Sequence, residues 1–185
     1  MRPKRGAVLL CVVALAGGWP SRPGEADPGD AAPNRLEAMT ETGATKSEAE
    51  IRELIDRAVE AIRGRDLDGV MAVFAPEVVS FDLGPPLQHG GGETFAKRWR
   101  ALFDAYRGPI DYEVHDLGIT AGGDVAFSRS LNRVRGTTKD GRKSDRWLRW
   151  TACYRRIDGR WRIVHEHVSV PVDLEHGKAL LALKP

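Results

Sequence analysis

From Ile110 to Val170 the chain reads as four alternating runs separated only by short turn signals, and this restricts its folding more than any other feature. The runs are Ile110 to Ile119, Val125 to Arg135, Asp145 to Ile157 and Trp161 to Val170. Between them lie Gly122-Gly123-Asp124, Lys139-Asp140-Gly141 and Asp158-Gly159. Turns this short join antiparallel neighbours, whereas a parallel pair needs a crossover of a dozen residues or more. An antiparallel meander follows, and Pro171 ends it because proline cannot donate to a ladder.

Helical patterns precede the meander. Ser47 and Glu50 have capping-box spacing, and Ile51, Leu54, Ile55, Ala58, Val59 and Ile62 then form one apolar stripe that stops at Gly64. Asp66 is placed to cap a second helix carrying Leu67, Val70, Met71, Val73 and Phe74, which Pro76 should end. Val78 to Asp82 reads as a short strand closed by Gly84-Pro85-Pro86. Gly90-Gly91-Gly92 is a turn; no Lys-Ser/Thr follows, so it does not read as a phosphate loop. Glu93 to Tyr106 is a third helix whose aromatic stripe, Phe95, Trp99 and Phe103, reads as core. Helices first and a meander after predict an α+β domain with helices packed on one face of a curved antiparallel sheet.

The N-terminal stretch stands apart. Arg2, Lys4 and Arg5 precede an apolar run from Gly6 to Gly18 with small residues near Ala14-Leu15-Ala16, and Trp19 and Pro20 follow it. Residues 1–20 thus match a secretory signal, and an exported product is expected. Met39-Thr40-Glu41-Thr42 offers a rival start, which would make the product cytoplasmic. Residues 21–46 are rich in Pro, Gly and polar residues and read as a disordered linker. The domain is expected over 47–173, with 174–185 as a tail. Cys11 and Cys153 fall in separate elements, so no disulfide framework is expected. A net charge of +2, with acids interspersed among the arginines, gives no nucleic-acid footprint. The apolar run is too short to span a bilayer comfortably, so no membrane partner is expected.

Alternation assigns the facing of side chains. In the second run the odd positions Val125, Phe127, Arg129 and Leu131 are mostly apolar and are expected to cover the helices. In the third run the even set, Leu148, Trp150, Ala152 and Tyr154, is apolar. In the fourth the even set is Val164, Glu166, Val168 and Val170. Arg129 and Glu166 then stand as charges on the core side, where they either neutralise each other or serve a ligand. His165 and His167 fall on the outer face. A one-residue slip would bring His165, His167 and Asn132 into the pocket instead. Two histidines on one strand face suit some metal sites, but no third ligand is evident and no metal is expected.

The strand ending Ser80-Phe81-Asp82-Leu83-Gly84-Pro85-Pro86 and the run Trp161-Arg162-Ile163-Val164-His165-Glu166-His167-Val168-Ser169 resemble a SnoaL-like protein. That group lies within the nuclear transport factor 2-like and ketosteroid isomerase-like superfamily, and the resemblance covers about Ser47 to Asp173. The second run also resembles the association domain of calcium/calmodulin-dependent kinase. The resemblance implies a cone-shaped sheet around the N-terminal helices, one small-molecule pocket, no cofactor, and homodimers through the convex sheet face. It also implies a choice of activities: isomerisation, cyclisation, dehydration or plain assembly. Asp82 occupies the place of the isomerase's general base. The isomerase's two oxyanion donors fall at Ala58 and Ala152, which argues against steroid isomerisation.

Two readings of function result. In the first, the protein is a cofactor-free acid–base enzyme acting on a small apolar carbonyl or hydroxyl compound. Asp82, Glu166 and Tyr154 are its catalytic candidates, and Arg129, Trp150, Trp99, Phe81 and Val168 contact the ligand. In the second it is a non-catalytic binding or oligomerisation module.

Overall fold

The meander sets the frame. In the computed structural model, which describes residues 35–185 and side chains from Gly43 onward, four long strands run in sequence order. They are β3 (Tyr106–Gly122), β4 (Val125–Thr138), β5 (Lys143–Ile157) and β6 (Arg160–Ser169), each antiparallel to the next. They are longer than the alternation suggested, because the pairing continues into the polar ends of each run. At the β5–β6 hairpin, Asp158 (φ 49) and Gly159 (φ 75) both adopt positive φ, the conformation of a tight turn matched to strand twist. β1 (Phe74–Phe81) adds to β6 in parallel, and the short β2 (His89–Gly90) pairs with β1, giving the order β2-β1-β6-β5-β4-β3. Residues after Pro171 form a small hairpin of β7 (Val172–Asp173) and β8 (Lys178–Ala179) rather than a loose tail.

Among the described residues, three helices lie on one face. α1 (Arg35–Gly64) presents Ile51, Leu54, Ile55 and Ile62 to the core, each at most 5% exposed. It begins at Arg35, so residues 35–46 are helical and not the disordered linker expected. Ser47 therefore lies inside the helix and does not cap it. Its hydroxyl accepts from Arg156 on β5, while Glu50 accepts from Arg156 (2.9 Å) and from the Trp161 indole on β6 (3.0 Å). The apparent capping box is a latch between helix and sheet. α2 (Leu67–Met71) is capped by Asp66, whose carboxylate accepts from Gly69 N, but it ends well before Pro76, which sits in β1. α3 (Gly92–Ala105) carries Phe95 and Phe103 inward, and Phe95 meets Phe74 edge-to-face at 4.7 Å. Apolar side chains of all three helices pack against Ala152, Tyr154 and Ile163 of the sheet. The signal-like segment, the rest of the linker and Cys11 lie outside the described residues.

Candidate functional site

The facing of each strand decides what reaches the interior. On β4 the buried residues are Ala126, Ser128, Ser130, Asn132 and Val134, the even set, while Val125, Phe127 and Arg129 are exposed. The odd-inward expectation for this strand is therefore reversed. The middle of the inner wall uses small polar residues held by hydrogen bonds, Ser128, Ser130 and Asn132, while the larger apolar Val125 and Phe127 point outward. Arg129 accordingly leaves the core side and makes no pair with Glu166; its guanidinium lies over Gly118 on the neighbouring strand. On β6 a bulge at Val164 changes the parity, since Cys153 pairs with His165 but Tyr154 with Ile163. Trp161 and Ile163 face in before the bulge, and Glu166 and Val168 face in after it.

Between this wall and the helices lies a cavity of about 340 Å³. Ile55, Ala58 and Ile62 of α1, Trp99 and Leu102 of α3, and Tyr112, Val114, Leu148 and Trp150 of the sheet make its lining largely apolar. A cavity of this size with few polar groups is the usual form of a small-molecule site.

Glu166 is the central polar group. It is 5% exposed, and its two carboxyl oxygens accept from Ser80 Oγ (2.9 Å) and Trp150 Nε1 (2.9 Å). Burial pushes its pKa up from 4.5 to about 7, against the pull of those two donors, and the nearby Asp82 carboxylate adds to the rise. Asp82, just after β1, also lines the cavity. Its Oδ2 accepts from Arg98 Nε of α3 and its Oδ1 from Leu83 N, so both oxygens are already engaged.

A second polar chain lies across the cavity. Ser130 Oγ donates to Asn132 Oδ1 (2.7 Å), and Asn132 Nδ2 donates to the Tyr112 hydroxyl (2.7 Å). This leaves the Tyr112 proton free for another acceptor, and burial keeps the phenol neutral by raising its pKa. Tyr112 follows Ile110 and precedes Val114 in an inward alternating series, a signal that reading β3 alone would have offered. Arg98 and Arg146 also line the cavity and were not among the expected residues.

The expected residues divide clearly. Asp82, Glu166, Trp150, Trp99, Val168 and Asn132 line the cavity. Tyr154 does not: its hydroxyl, 2.8 Å from Ser128 Oγ, is buried in the core beneath it. Phe81 faces outward, 39% exposed, against His165 (4.7 Å) and His167 (5.9 Å). His165 donates from Nδ1 to the Val79 carbonyl at 2.8 Å, and His167 is exposed, so neither enters the cavity. Asn132 reaches it without them because the facing of β4 is reversed while that of β6 after the bulge is not. Among the described residues no three His, Cys, Asp or Glu side chains gather into a metal-binding group.

Residues 51–173 match the family model for the SnoaL-like domain, and the chain belongs to that family. A nuclear transport factor 2-like protein of unknown function from Pseudomonas putida KT2440 is 38% identical, with a TM-score of 0.70; the match covers 77% of this chain and 99% of that one. Two more distant structures share the fold. One is a candidate scytalone dehydratase from Novosphingobium aromaticivorans DSM 12444 (14% identity, TM-score 0.64, 71% of this chain and 87% of that one). The other is a candidate calcium/calmodulin-dependent protein kinase II association domain from Xanthomonas campestris (21% identity, TM-score 0.59, 68% and 88%). No curated protein matches the chain.

Proposed function

We propose that this domain is a cofactor-independent acid–base enzyme for a small, mostly apolar carbonyl or hydroxyl compound, with Glu166 as the group that takes and returns the proton. The observation that carries the reading is a buried carboxyl on the wall of an apolar cavity, with a pKa moved to about 7. A base tuned near ambient pH is half ionised there and is strong enough to take a proton from carbon next to a carbonyl. The oxyanion that then forms needs a donor, and the Tyr112 O–H supplies it. Tyr112 is oriented by Asn132 and stands in for the donors missing at Ala58 and Ala152. Asp82 was the expected base. With both its oxygens engaged it serves here as the second carboxylate, raising Glu166 and tying α3 to the end of β1. The likeness to a candidate dehydratase is in keeping with such chemistry.

The test is exchange of α-protons in deuterated water, followed by NMR for a panel of enolisable ketones and β-hydroxy ketones. Exchange by the wild type that disappears in Glu166→Gln supports the reading, and identical exchange in both sinks it. We further propose that the domain works as a homodimer through the outer sheet face, where Phe127 (50%) and Val125 (59%) are exposed. The same face is what favours the second reading, an assembly module, should no compound undergo exchange.

A further inference from the structure

We propose that the occupant of this cavity is an amphipathic carboxylate whose anionic end is bound by Arg146, an inference that rests on the cavity being the ligand site. The inward positions of β5 run Arg146, Leu148, Trp150, and across the sheet Arg146 stands in register with Val134 and, one strand further, Tyr112. Four charged side chains line the cavity. Asp82 is paired with Arg98, and Glu166 accepts from Ser80 and Trp150. Arg146 makes neither a hydrogen bond nor an ion pair with any described residue.

Its acidic neighbour is unavailable. Asp145 is taken in bidentate fashion by Arg133 (2.9 and 2.8 Å), with Lys184 4.0 Å away. Among the described residues, Arg146 is thus the cation of the largely apolar lining that no side chain engages, and its guanidinium is the group whose planar fork best matches a carboxylate. Lys143 lines a shallow recess that Arg146 also borders, adding positive potential where an anion would approach, while Arg142 beside it is paired with Asp140.

The two ends of the cavity differ in exposure. Arg146 lies on an exposed part of the lining, as Leu83 and Leu102 do, whereas Glu166 is buried. Arg146 lies four residues from Trp150, the donor to Glu166, which is about 13 Å along an extended strand. Val134, Leu148 and Val114 make the wall between them apolar. An occupant touching both ends therefore carries its carboxylate several bonds from the carbon that Glu166 would deprotonate. A short polar acid would fill only the Arg146 end.

Calorimetric titration with 4-phenylbutanoate and 6-phenylhexanoate, each against its methyl ester, tests this. In the wild type the acids should bind at least tenfold more tightly than the esters. Arg146→Met keeps the length and apolar stem of the side chain and should reduce that preference to less than twofold. Equal binding of acid and ester to the wild type, a preference that survives Arg146→Met, or no binding of either would overturn the proposal. Acid preference without any α-proton exchange would leave it standing while removing the enzymatic reading. Exchange of neutral ketones without acid preference would do the reverse.

Discussion

Glu166 places its titration in the range where ordinary changes of pH decide its charge, and the consequence for stability has a definite sign. Unfolded, the carboxyl titrates near 4.5; folded, near 7. Between those values the folded protein keeps a proton that the unfolded chain releases, so stability falls as pH rises through the window and levels off above it. The whole contribution is on the order of 3 kcal/mol. Glu166→Gln is neutral at every pH and keeps an acceptor for Trp150 and a partner for Ser80. Urea unfolding should find this variant more stable than the wild type at pH 8, with the difference shrinking towards pH 5; parallel pH profiles would refute the buried, titrating carboxyl. Activity should run the other way, because a base must be ionised to act, and kcat/KM should rise to a plateau with its midpoint near pH 7. At Tyr112 the effect belongs to the barrier more than to stability. Tyr112→Phe should slow exchange by about a hundredfold or more and cost only about 1–2 kcal/mol of stability for the Asn132 amide left without its partner. Steady-state exchange rates and a melting curve separate the two.

At the scale of elements, the latch between α1 and the β5–β6 hairpin shows how a local reading becomes a tertiary one. Glu50 accepts from both Arg156 and Trp161, and Arg156 lies 4.5 Å over the Trp161 ring. Glu50→Ala leaves the indole N–H unpaired and should lower stability by about 1–2 kcal/mol, read as a fall in denaturation midpoint with unchanged slope. Spacing alone reported Ser47 and Glu50 as a helix start, because a capping box and a pair of residues reaching for another element look the same until the partner is known. The meander, its turns and the apolar stripes of α1 and α3 were legible because each depends on neighbours close in sequence. Facing was legible only where the inner wall is apolar. On β4 the inner residues include Ser128, Ser130 and Asn132 between Ala126 and Val134, and the outer ones include Val125 and Phe127, so the bulkier hydrophobic side chains lie on the wrong side for a reading by hydrophobicity. On β6 a single inserted residue at Val164 lets Ile163 and Glu166 share the interior, which no strict period of two can express. Glu166 was nevertheless visible as a lone charge among apolar residues. Arg98 was not, since its partner Asp82 lies sixteen residues earlier in another element.

The reversed facing of β4 bears on the molecule as a whole. A sheet with helices on one side would be expected to show water a polar surface on the other, yet here Phe127 and Val125 stand on the outer face, and Phe81 beside His165 and His167. Hydrophobic side chains placed outward while serines line the interior make sense if a second copy covers them, since an apolar patch of this kind marks an interaction surface. A symmetric pair of chains places the same patch against itself, so one substitution acts twice. Phe127→Asp should change little in the isolated domain, where the side chain is half exposed, but in a pair it would bury two like charges without partners. Light scattering should therefore give the mass of two chains for the wild type and of one chain for Phe127→Asp. The melting temperature should rise with protein concentration for the wild type alone. A wild type with the mass of one chain, or a variant that still pairs, would leave the outward Phe127 without this explanation. The cavity lies on the opposite side of the sheet from that patch, so α-proton exchange by the separated chains would show that acid–base chemistry belongs to each domain by itself.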